Sequence, residues 1–181
     1  MSKQPIDMTV GAEEKRMVVK PSVIHPGLSI ADLLATHCAA LDELRRRGVI
    51  RSGNNPTGDY AEWLVSSKLG LQLAGKSVKG FDATDALGIR YQIKARRVTA
   101  DNSSTQLSVI RNLDGEDFDL LVAVVFDSAW NVAVAAKMTR EAVSKLSTFR
   151  HHVNGHVMHL RRTVFSVGGV DDITAVLRGE P

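Results

Sequence analysis

The sequence predicts an α/β fold with a mixed central β-sheet flanked by helices, and with an N-terminal helical extension. Three observations carry this prediction: residues 89–97 alternate polar and apolar side chains, residues 118–126 form a continuous apolar run, and segments with helix signals lie around both. A continuous apolar run is typical of a strand that is covered on both faces. Strands flanked by helices indicate a layered α/β domain, and 181 residues with 44% hydrophobic content suffice for one such core.

The N-terminal part of the chain is predicted to be an arm followed by a long helix. Residues 1–27 contain three prolines and scattered charges, and we interpret them as a flexible arm. A helix is expected over 29–47, because Ser29 is a suitable N-cap, Asp32 favours the first turn and Gly48 ends the segment. Its apolar stripe is expected to pack on the core, with a second copy of the chain as the alternative partner; the stripe consists of Ile30, Leu33, Leu34, His37, Cys38, Leu41 and Leu44.

The core of the single nuclease-sized domain at 28–181 is predicted over 56–147. It begins with a helix from about Gly58 to Leu69. A hairpin follows, with strands over 77–84 and 89–97, because the Asp and Gly of the intervening residues dominate turns while Ile, Tyr and Val favour strands.

The second half of the core is predicted to contain a short helix over 104–113 and the buried strand over 118–126. A further strand is expected over 132–136. Thr139 is then the N-cap of a helix that reaches about Leu146.

A C-terminal hairpin and helix are predicted over 149–178. Asn154-Gly155 is a strong signal for a two-residue hairpin turn, in which Val153 would pair with His156. Four histidines lie in this region, and in the predicted register no three of them converge on one face, which argues against a zinc site.

Composition limits the class of protein. The net charge of +3 and the single cysteine, Cys38, exclude a disulfide framework and a zinc site of paired thiolates. No stretch approaches the ~20 apolar residues of a membrane helix, and the N-terminus lacks the apolar core of a secretory signal. We therefore expect a cytoplasmic protein without a membrane partner.

A candidate site lies on the polar face of the strand at 89–97. Side chains two apart point the same way, so the polar face carries Arg90, Gln92, Lys94 and Arg96, while the core face carries Ile89, Tyr91, Ile93 and Ala95. An acid on the neighbouring strand, Asp82, can meet Gln92 and Lys94 there. Such a face can hold Mg²⁺ and a water.

These residues resemble the PD-(D/E)xK superfamily of restriction-endonuclease-like nucleases, in a QxK variant. The superfamily pattern is an acid on one strand, acid-x-Lys on the next and often a Glu on a preceding helix; the matches are Asp82, Gln92-Ile93-Lys94 and Glu62. The wording from Lys79 to Asp85 is also similar to that of a group of uncharacterised bacterial proteins placed in this superfamily. Gln92 departs from the pattern, because most members have Glu or Asp at this place.

The resemblance implies a restriction-endonuclease-like core and a metal-dependent endonuclease that hydrolyses phosphodiester bonds, of DNA first and of RNA as the alternative. Mg²⁺ or Mn²⁺ takes one or two carboxylates and other oxygens, here from Asp82, the Gln92 side chain, the Ile93 carbonyl and Glu62. Lys94 would orient the attacking water or offset phosphate charge. The resemblance also suggests a homodimer and a role in restriction or defence.

Basic residues near the site favour a polyanionic partner, since nucleic-acid binding is driven largely by phosphate neutralisation. Arg96 and Arg97 are expected beside Lys94, and Arg161 and Arg162 on a later strand.

Two other functions remain open. The first is a non-catalytic nucleic-acid-binding or assembly module that kept the fold and lost part of its metal site through Gln92. The second is a nucleotidase, because residues 70–77 match the phosphate-loop pattern GxxxxGK[ST] and Leu121 to Asp127 resembles the apolar strand that ends in Asp. A phosphate loop has to follow a strand and open a helix, whereas residues 60–69 read as helix, so the context argues against it.

Overall fold

The computed structural model describes residues 24–75 and 78–180, so the predicted arm at 1–27 lies largely outside the described residues. Two compact units meet within the first helix, between Cys38 and Ala39. The sheet and the candidate site belong to the second unit.

Four α-helices are present in the described part of the chain, and three were predicted close to their observed bounds. They are α1 Ile30–Arg46, α2 Thr57–Leu69, α3 Arg140–Leu146 and α4 Thr174–Arg178. Ser29 and Asp32 form a reciprocal cap on α1, because the Asp32 N–H donates to Ser29 Oγ (3.1 Å) and the Ser29 N–H donates to Asp32 Oδ2 (3.2 Å). Thr139 caps α3 by accepting from the Ala142 N–H, as expected.

The expectation that the α1 stripe packs on the core is wrong for most of its length. No residue of α1 is buried, and Ile30, Leu33 and Leu34 are exposed. Only Leu41 and Leu44, near the end of the helix, are partly buried. The amphipathic period of a helix shows which face is apolar, but it does not show what covers that face.

The mixed central sheet is confirmed. Its six strands are β1 Gln72–Leu73, β2 Ala83–Thr84, β3 Arg90–Arg97, β4 Leu120–Phe126, β5 Val132–Thr139 and β8 Val170–Asp172, and a separate pair is formed by β6 Thr148–Arg150 and β7 Gly155–Val157. The order in the large sheet is β1-β2-β3-β4-β5-β8, and β3 and β4 are parallel while every other neighbouring pair is antiparallel.

The first strand of the predicted hairpin is much shorter than expected. Only Ala83–Thr84 of the predicted strand at 77–84 pairs with β3, and the unpredicted β1 covers its other side. Gly80 has a φ of 95°, a conformation that leaves the extended region and prevents the strand from starting earlier.

Strand β4 lies at the centre of the domain and divides the core in two. Leu121, Ala123 and Val125 pack in one cluster with residues of α3, whereas Val122, Val124 and Phe126 pack in the other with residues of α2 and α4. Because successive side chains of a strand point to opposite faces, this continuous apolar run serves both layers, as the sequence predicted.

The predicted helix over 104–113 is wrong. The segment is extended and forms bridges to the C-terminal region, Gln106 with His159 and Ile110 with His156. Its buried residues Leu107, Ile110 and Leu113 are spaced three apart, which imitates a helical period. Their backbone groups instead bond to the β7 region, and this long-range pairing is invisible in a local pattern.

The predicted C-terminal hairpin register is also wrong. Val153 does not pair with His156; Phe149 does, and a 3-10 turn at His151–Val153 separates β6 from β7. Asn154 adopts the predicted left-handed conformation, with φ 47°, but it ends the 3-10 turn instead of forming a two-residue loop. Arg161 and Arg162 lie at the start of a second 3-10 turn, Arg162–Ser166, and not on a strand.

Candidate functional site

Asp82 lies opposite Gln92 at the point where β2 diverges from β3. Ala83 pairs with Tyr91, and one residue earlier the Asp82 N–H donates to the Tyr91 carbonyl (2.8 Å). The Asp82 carboxylate then takes the place of the missing strand, because its Oδ2 accepts from the Ile93 N–H (2.7 Å). Its second oxygen, Oδ1, is left for another ligand.

Gln92 is held by only one end of its amide. The side chain is buried, and Nε2 donates to the Gly80 carbonyl (3.1 Å). Within the described residues, Gln92 Oε1 is buried without any hydrogen-bond partner. A buried acceptor without a partner is uncommon in folded proteins and calls for an explanation such as a bound ion.

The Ile93 carbonyl points toward the same edge. In an extended strand, the N–H and C=O of one residue lie on the same side. Because the Ile93 N–H bonds to Asp82, its carbonyl oxygen is directed to the Asp82 side as well, where no strand continues.

Lys94 lies on the Gln92 face of β3 and is partly buried. Burial lowers the pKa of its ammonium, the carboxylates of Asp82 and Glu62 act in the opposite direction, and Arg111 lowers the pKa further. Lys94 forms no hydrogen bond or ion pair with another described residue. The ammonium is therefore near two acids but committed to neither.

Glu62 projects from α2 toward the same place and pairs with Arg51. Burial raises the pKa of the Glu62 carboxyl, the charge of Asp82 raises it further, and the hydrogen bond from Arg51 opposes both. Arg51 is itself fixed by a hydrogen bond from Nη1 to the Ala74 carbonyl (2.8 Å). Glu62 is thus held beside Asp82 by a cation from the loop before α2.

A cleft of about 250 Å³ opens between these elements. Arg51, Asp59, Glu62 and Asp82 line it together with residues of the loop at 74–81. Asp59 orders the loop before α2, because its Oδ2 accepts from the N–H groups of Arg51 (2.8 Å) and Ser52 (2.7 Å).

Sequence reasoning missed Arg51 and Asp59. Asp59 stands in the first turn of α2, where an acid is ordinary, and Arg51 follows a run of arginines in a turn-rich loop. No spacing rule connects this loop to β3, so only the fold brings these residues to the cleft.

The donor set fits a hard divalent cation only as a mixed set of oxygens. No group of three His, Cys, Asp or Glu side chains in the described part of the chain is arranged to hold a metal. The available oxygens are Asp82 Oδ1, the orphaned Gln92 Oε1 and the Ile93 carbonyl, with Glu62 nearby. Mg²⁺ accepts such oxygen ligands and usually retains several waters, so the residues present fit the ion.

The predicted basic strip is divided between the two faces of the sheet. Arg96 shares the Lys94 face, and its Nε donates to the Ser104 carbonyl (3.2 Å). The expectation that Arg97 lies beside the site is wrong: β-strand alternation turns it to the other face, where its guanidinium lies over the Trp130 ring at 4.6 Å from the centroid.

Arg161 and Arg162 point to different surroundings. Arg161 lines a polar cleft with His159. Arg162 lies near Asp172: burial raises the pKa of that carboxyl, but hydrogen bonds from Thr174 and the charges of Arg162 and Arg178 lower it overall.

The rejection of a phosphate loop at 70–77 is confirmed by the elements around it. Gly70 ends α2 with a left-handed φ of 67°, and β1 follows. No helix starts in the described residues between β1 and β3, so no helix N-terminus meets this loop; Lys76 and Ser77 lie outside the described residues.

Comparison with models of known protein families gives no match, and no curated protein sequence matches the chain significantly. No helix in the described ranges is both long and apolar enough to cross a membrane.

Proposed function

We propose that this chain is a metal-dependent endonuclease with a restriction-endonuclease-like fold, which hydrolyses phosphodiester bonds of DNA. The observation that carries the proposal is the buried, unpartnered Gln92 Oε1 beside the Asp82 carboxylate, with the Lys94 ammonium on the same face. The order of the elements supports it, because a helix with Glu62, a strand edge with Asp82 and a strand with Gln92 and Lys94 follow one another as in the superfamily.

Four residues supply the metal-binding oxygens in this proposal. Asp82, Gln92 and the Ile93 carbonyl hold Mg²⁺ or Mn²⁺, and Glu62 assists. When bound, the ion supplies Lewis acidity that polarises the phosphodiester and offsets charge on the leaving oxygen.

The protein's own groups position the substrate. Lys94 donates to a phosphate oxygen or to the attacking water, and it loses no other partner in doing so. Burial of the ammonium strengthens its attraction to a phosphate, since charges interact more strongly out of bulk water. Glu62, whose pKa is raised by burial and by Asp82, accepts hydrogen bonds from water at the cleft, while Arg51 keeps its carboxylate in place.

The second candidate is a nucleic-acid-binding module without catalysis. Gln92 in place of an acid favours it, because the substitution removes one negative charge from the donor set, and no group of three acidic, His or Cys ligands was found among the described residues. Restriction or defence is the biological role that the resemblance suggests, and the single cysteine suits a reducing cytoplasm.

The deciding experiment is cleavage of supercoiled plasmid and of single-stranded DNA and RNA in Mg²⁺, in Mn²⁺ and in EDTA. Asp82→Asn and Lys94→Ala should each abolish metal-dependent nicking. Asp82→Asn keeps an oxygen that accepts from the Ile93 N–H, so its loss of activity would not come from a lost backbone contact. Asp171→Asn and Lys137→Ala are the matched controls, since these residues form an ion pair on β8 and β5 away from the site (3.2 Å).

Absence of cleavage by a folded wild-type protein that still shifts DNA in a gel would favour the binding module. Cleavage that survives both site variants would contradict the assignment of the site.

A homodimer is part of the proposal. Ile30 and Leu34 expose 79% and 61% of their surface, and a second copy would cover them. Sedimentation velocity with and without DNA tests this, and a monomer in both conditions would exclude it.

A further inference from the structure

The segment from Ala142 to Val170 has a charge distribution unlike that of the rest of the chain. It contains four Lys and Arg residues and four of the six histidines, and no Asp or Glu. The remainder of the chain then has 19 Lys and Arg residues against all 20 acids. The positive net charge therefore comes from this one segment, which folds as the pair β6 and β7 and the turn that follows.

The segment is held as a firm surface on the domain. Gly155 is buried against the extended segment at 104–113, and a Cβ at this position would lie 2.4 Å from Val109 Cγ1 and 2.8 Å from the Ile110 carbonyl oxygen. His156 and Ile110 exchange backbone hydrogen bonds (2.8 and 2.9 Å). Beyond β7, Met158 and Leu160 are buried in the core. The charges are thus presented on an ordered scaffold.

The exposed side of this scaffold combines cations with an aromatic ring. Arg150, His159 and Arg161 line one cleft of about 310 Å³ together with polar side chains. Phe149, next to Arg150, remains 43% exposed. The rings of His151 and His156 meet it edge-on, at centroid distances of 5.1 and 5.3 Å, and these contacts fix its orientation.

This surface is continuous with the candidate site. Arg96 lies two residues beyond Lys94 on the same face of β3, about 7 Å along the strand. Its side chain bonds to Ser104, and Ser104 lines a second cleft that shares His159 and Arg161 with the first. A line of positive charge therefore leads from Lys94 through Arg96 to Arg161 and Arg150.

We propose that this cationic face, formed by Phe149, Arg150, His159 and Arg161, binds single-stranded nucleic acid, with the phosphates along the arginines and an unpaired base stacked on Phe149. Grooves that join backbone-tracking cations with exposed aromatic rings are the general means of binding unpaired strands. The inference rests on the proposed function for its ligand, and it adds to that function the surface that holds the strand and the preference for unpaired bases.

The test is binding of a labelled oligothymidine in EDTA, measured by fluorescence anisotropy over a range of salt concentrations. EDTA separates binding from cleavage. The double variant Arg150→Ala/Arg161→Ala should weaken binding at least tenfold, and should flatten the slope of log K against log salt by ~1.4, at about 0.7 per lost phosphate contact on a single strand. Phe149→Leu should weaken binding by roughly 5- to 150-fold, the range of one base–aromatic stack, without changing the slope.

Arg162→Ala is the matched control, because it removes the same charge from the adjacent position, whose guanidinium lies near Asp172. It should change the affinity by less than twofold. A thermal melt of each variant establishes that it is folded, and the substituted side chains are exposed or partly exposed.

Three outcomes would overturn the inference: binding by the double variant within twofold of the wild type, an effect of Arg162→Ala equal to that of Arg161→Ala, or competition by inorganic polyphosphate equal to that by oligothymidine while Phe149→Leu has no effect. The proposed nuclease is judged separately, by plasmid cleavage. Binding that follows the expected pattern without any cleavage would leave this inference standing and the nuclease refuted, and the reverse result would do the opposite.

Discussion

At the scale of single residues, Gln92 explains most about the site. Its Nε2 is bonded to the Gly80 carbonyl, and its buried Oε1 has no partner in the described part of the chain. Leaving a buried acceptor unpaired costs about 1–3 kcal/mol. A bound cation would offset that cost, and a glutamine keeps the site from presenting two adjacent carboxylates, Asp82 and its neighbour, when the ion is absent.

Replacing Gln92 by Glu should weaken the metal-free protein and strengthen its response to metal. The carboxylate loses the donor to Gly80 and meets the carbonyl oxygen instead, so the free energy of unfolding should fall by about 1–3 kcal/mol. The added charge should also make the rise of Tm with Mg²⁺ or Mn²⁺ larger than in the wild type. Gln72→Glu on exposed β1 is the control for charge alone, and a metal-induced rise no larger than that of the wild type would contradict the assigned ligand.

The stability of the protein should depend on Lys94 in alkaline solution. Burial lowers the pKa of Lys94 from 10.5, so between its folded pKa and 10.5 the unfolded chain binds a proton that the folded protein does not. Stability therefore rises with pH across that window. Lys94→Met removes this titration, and the advantage of the Met variant should be largest at neutral pH and should shrink as the pH rises.

Urea unfolding of wild type and Lys94→Met from pH 7 to pH 10 measures this. A constant difference between the two proteins at every pH would show that the ammonium is not desolvated.

At the scale of elements, the site exists because β2 stops early. Gly80 has a φ of 95° and lies against Asp117, where an added Cβ would come within 2.6 Å of the Asp117 Cβ. The chain therefore turns away from β3 before Ala83, and Asp82 and the Gly80 carbonyl bond to Ile93 and Gln92 instead of a strand ladder. A longer β2 would fill the edge at which the Ile93 carbonyl is directed.

Gly80→Ala should reduce both stability and metal binding. A non-glycine residue with positive φ costs about 1–2 kcal/mol, and the contact with Asp117 adds to this and displaces the carbonyl that holds Gln92. Gly88→Ala is the matched control, because Gly88 also has positive φ (82°) but has open space around it.

Thermal melts with and without Mn²⁺ compare the two variants. Both should be destabilised, and only Gly80→Ala should lose its response to the ion. An unchanged response would mean that Gly80 does not position Gln92.

At the scale of the whole molecule, β4 joins two cores into one cooperative unit. Leu121 belongs to the cluster on the α3 side, while Trp63 and Trp130 pack with the cluster on the α2 side. Because the side chains of one strand serve both clusters, loss of packing on one face should be felt on the other.

Leu121→Ala should destabilise the protein by about 2–5 kcal/mol, the usual range for a buried Leu. Tryptophan fluorescence, which reports the opposite cluster, should shift to a lower urea midpoint together with far-UV circular dichroism. Two separate transitions would show that the layers unfold independently. Leu87→Ala, at a residue 88% exposed in the turn before β3, should leave both midpoints unchanged.

The sequence by itself determined the elements whose signals are local. The alternation at 89–97, the apolar run ending at Phe126, and the caps at Ser29 and Thr139 each depend on residues within a few positions. The pairing of Asp82 with Gln92 and Lys94 also came from sequence, because a tight turn at Asp85 to Gly88 sets which residues of two adjacent strands face each other.

Only the tertiary structure decided what depends on distant contacts. It brought Arg51 to Glu62, left Gln92 Oε1 without a partner, and turned Arg97 away from the site. It also made an extended segment of 104–113, since backbone bonds to β7 outweighed a helical spacing of three. The physical reason is that burial and hydrogen-bond satisfaction are properties of the assembled chain, and no window of sequence contains both partners of a long-range contact.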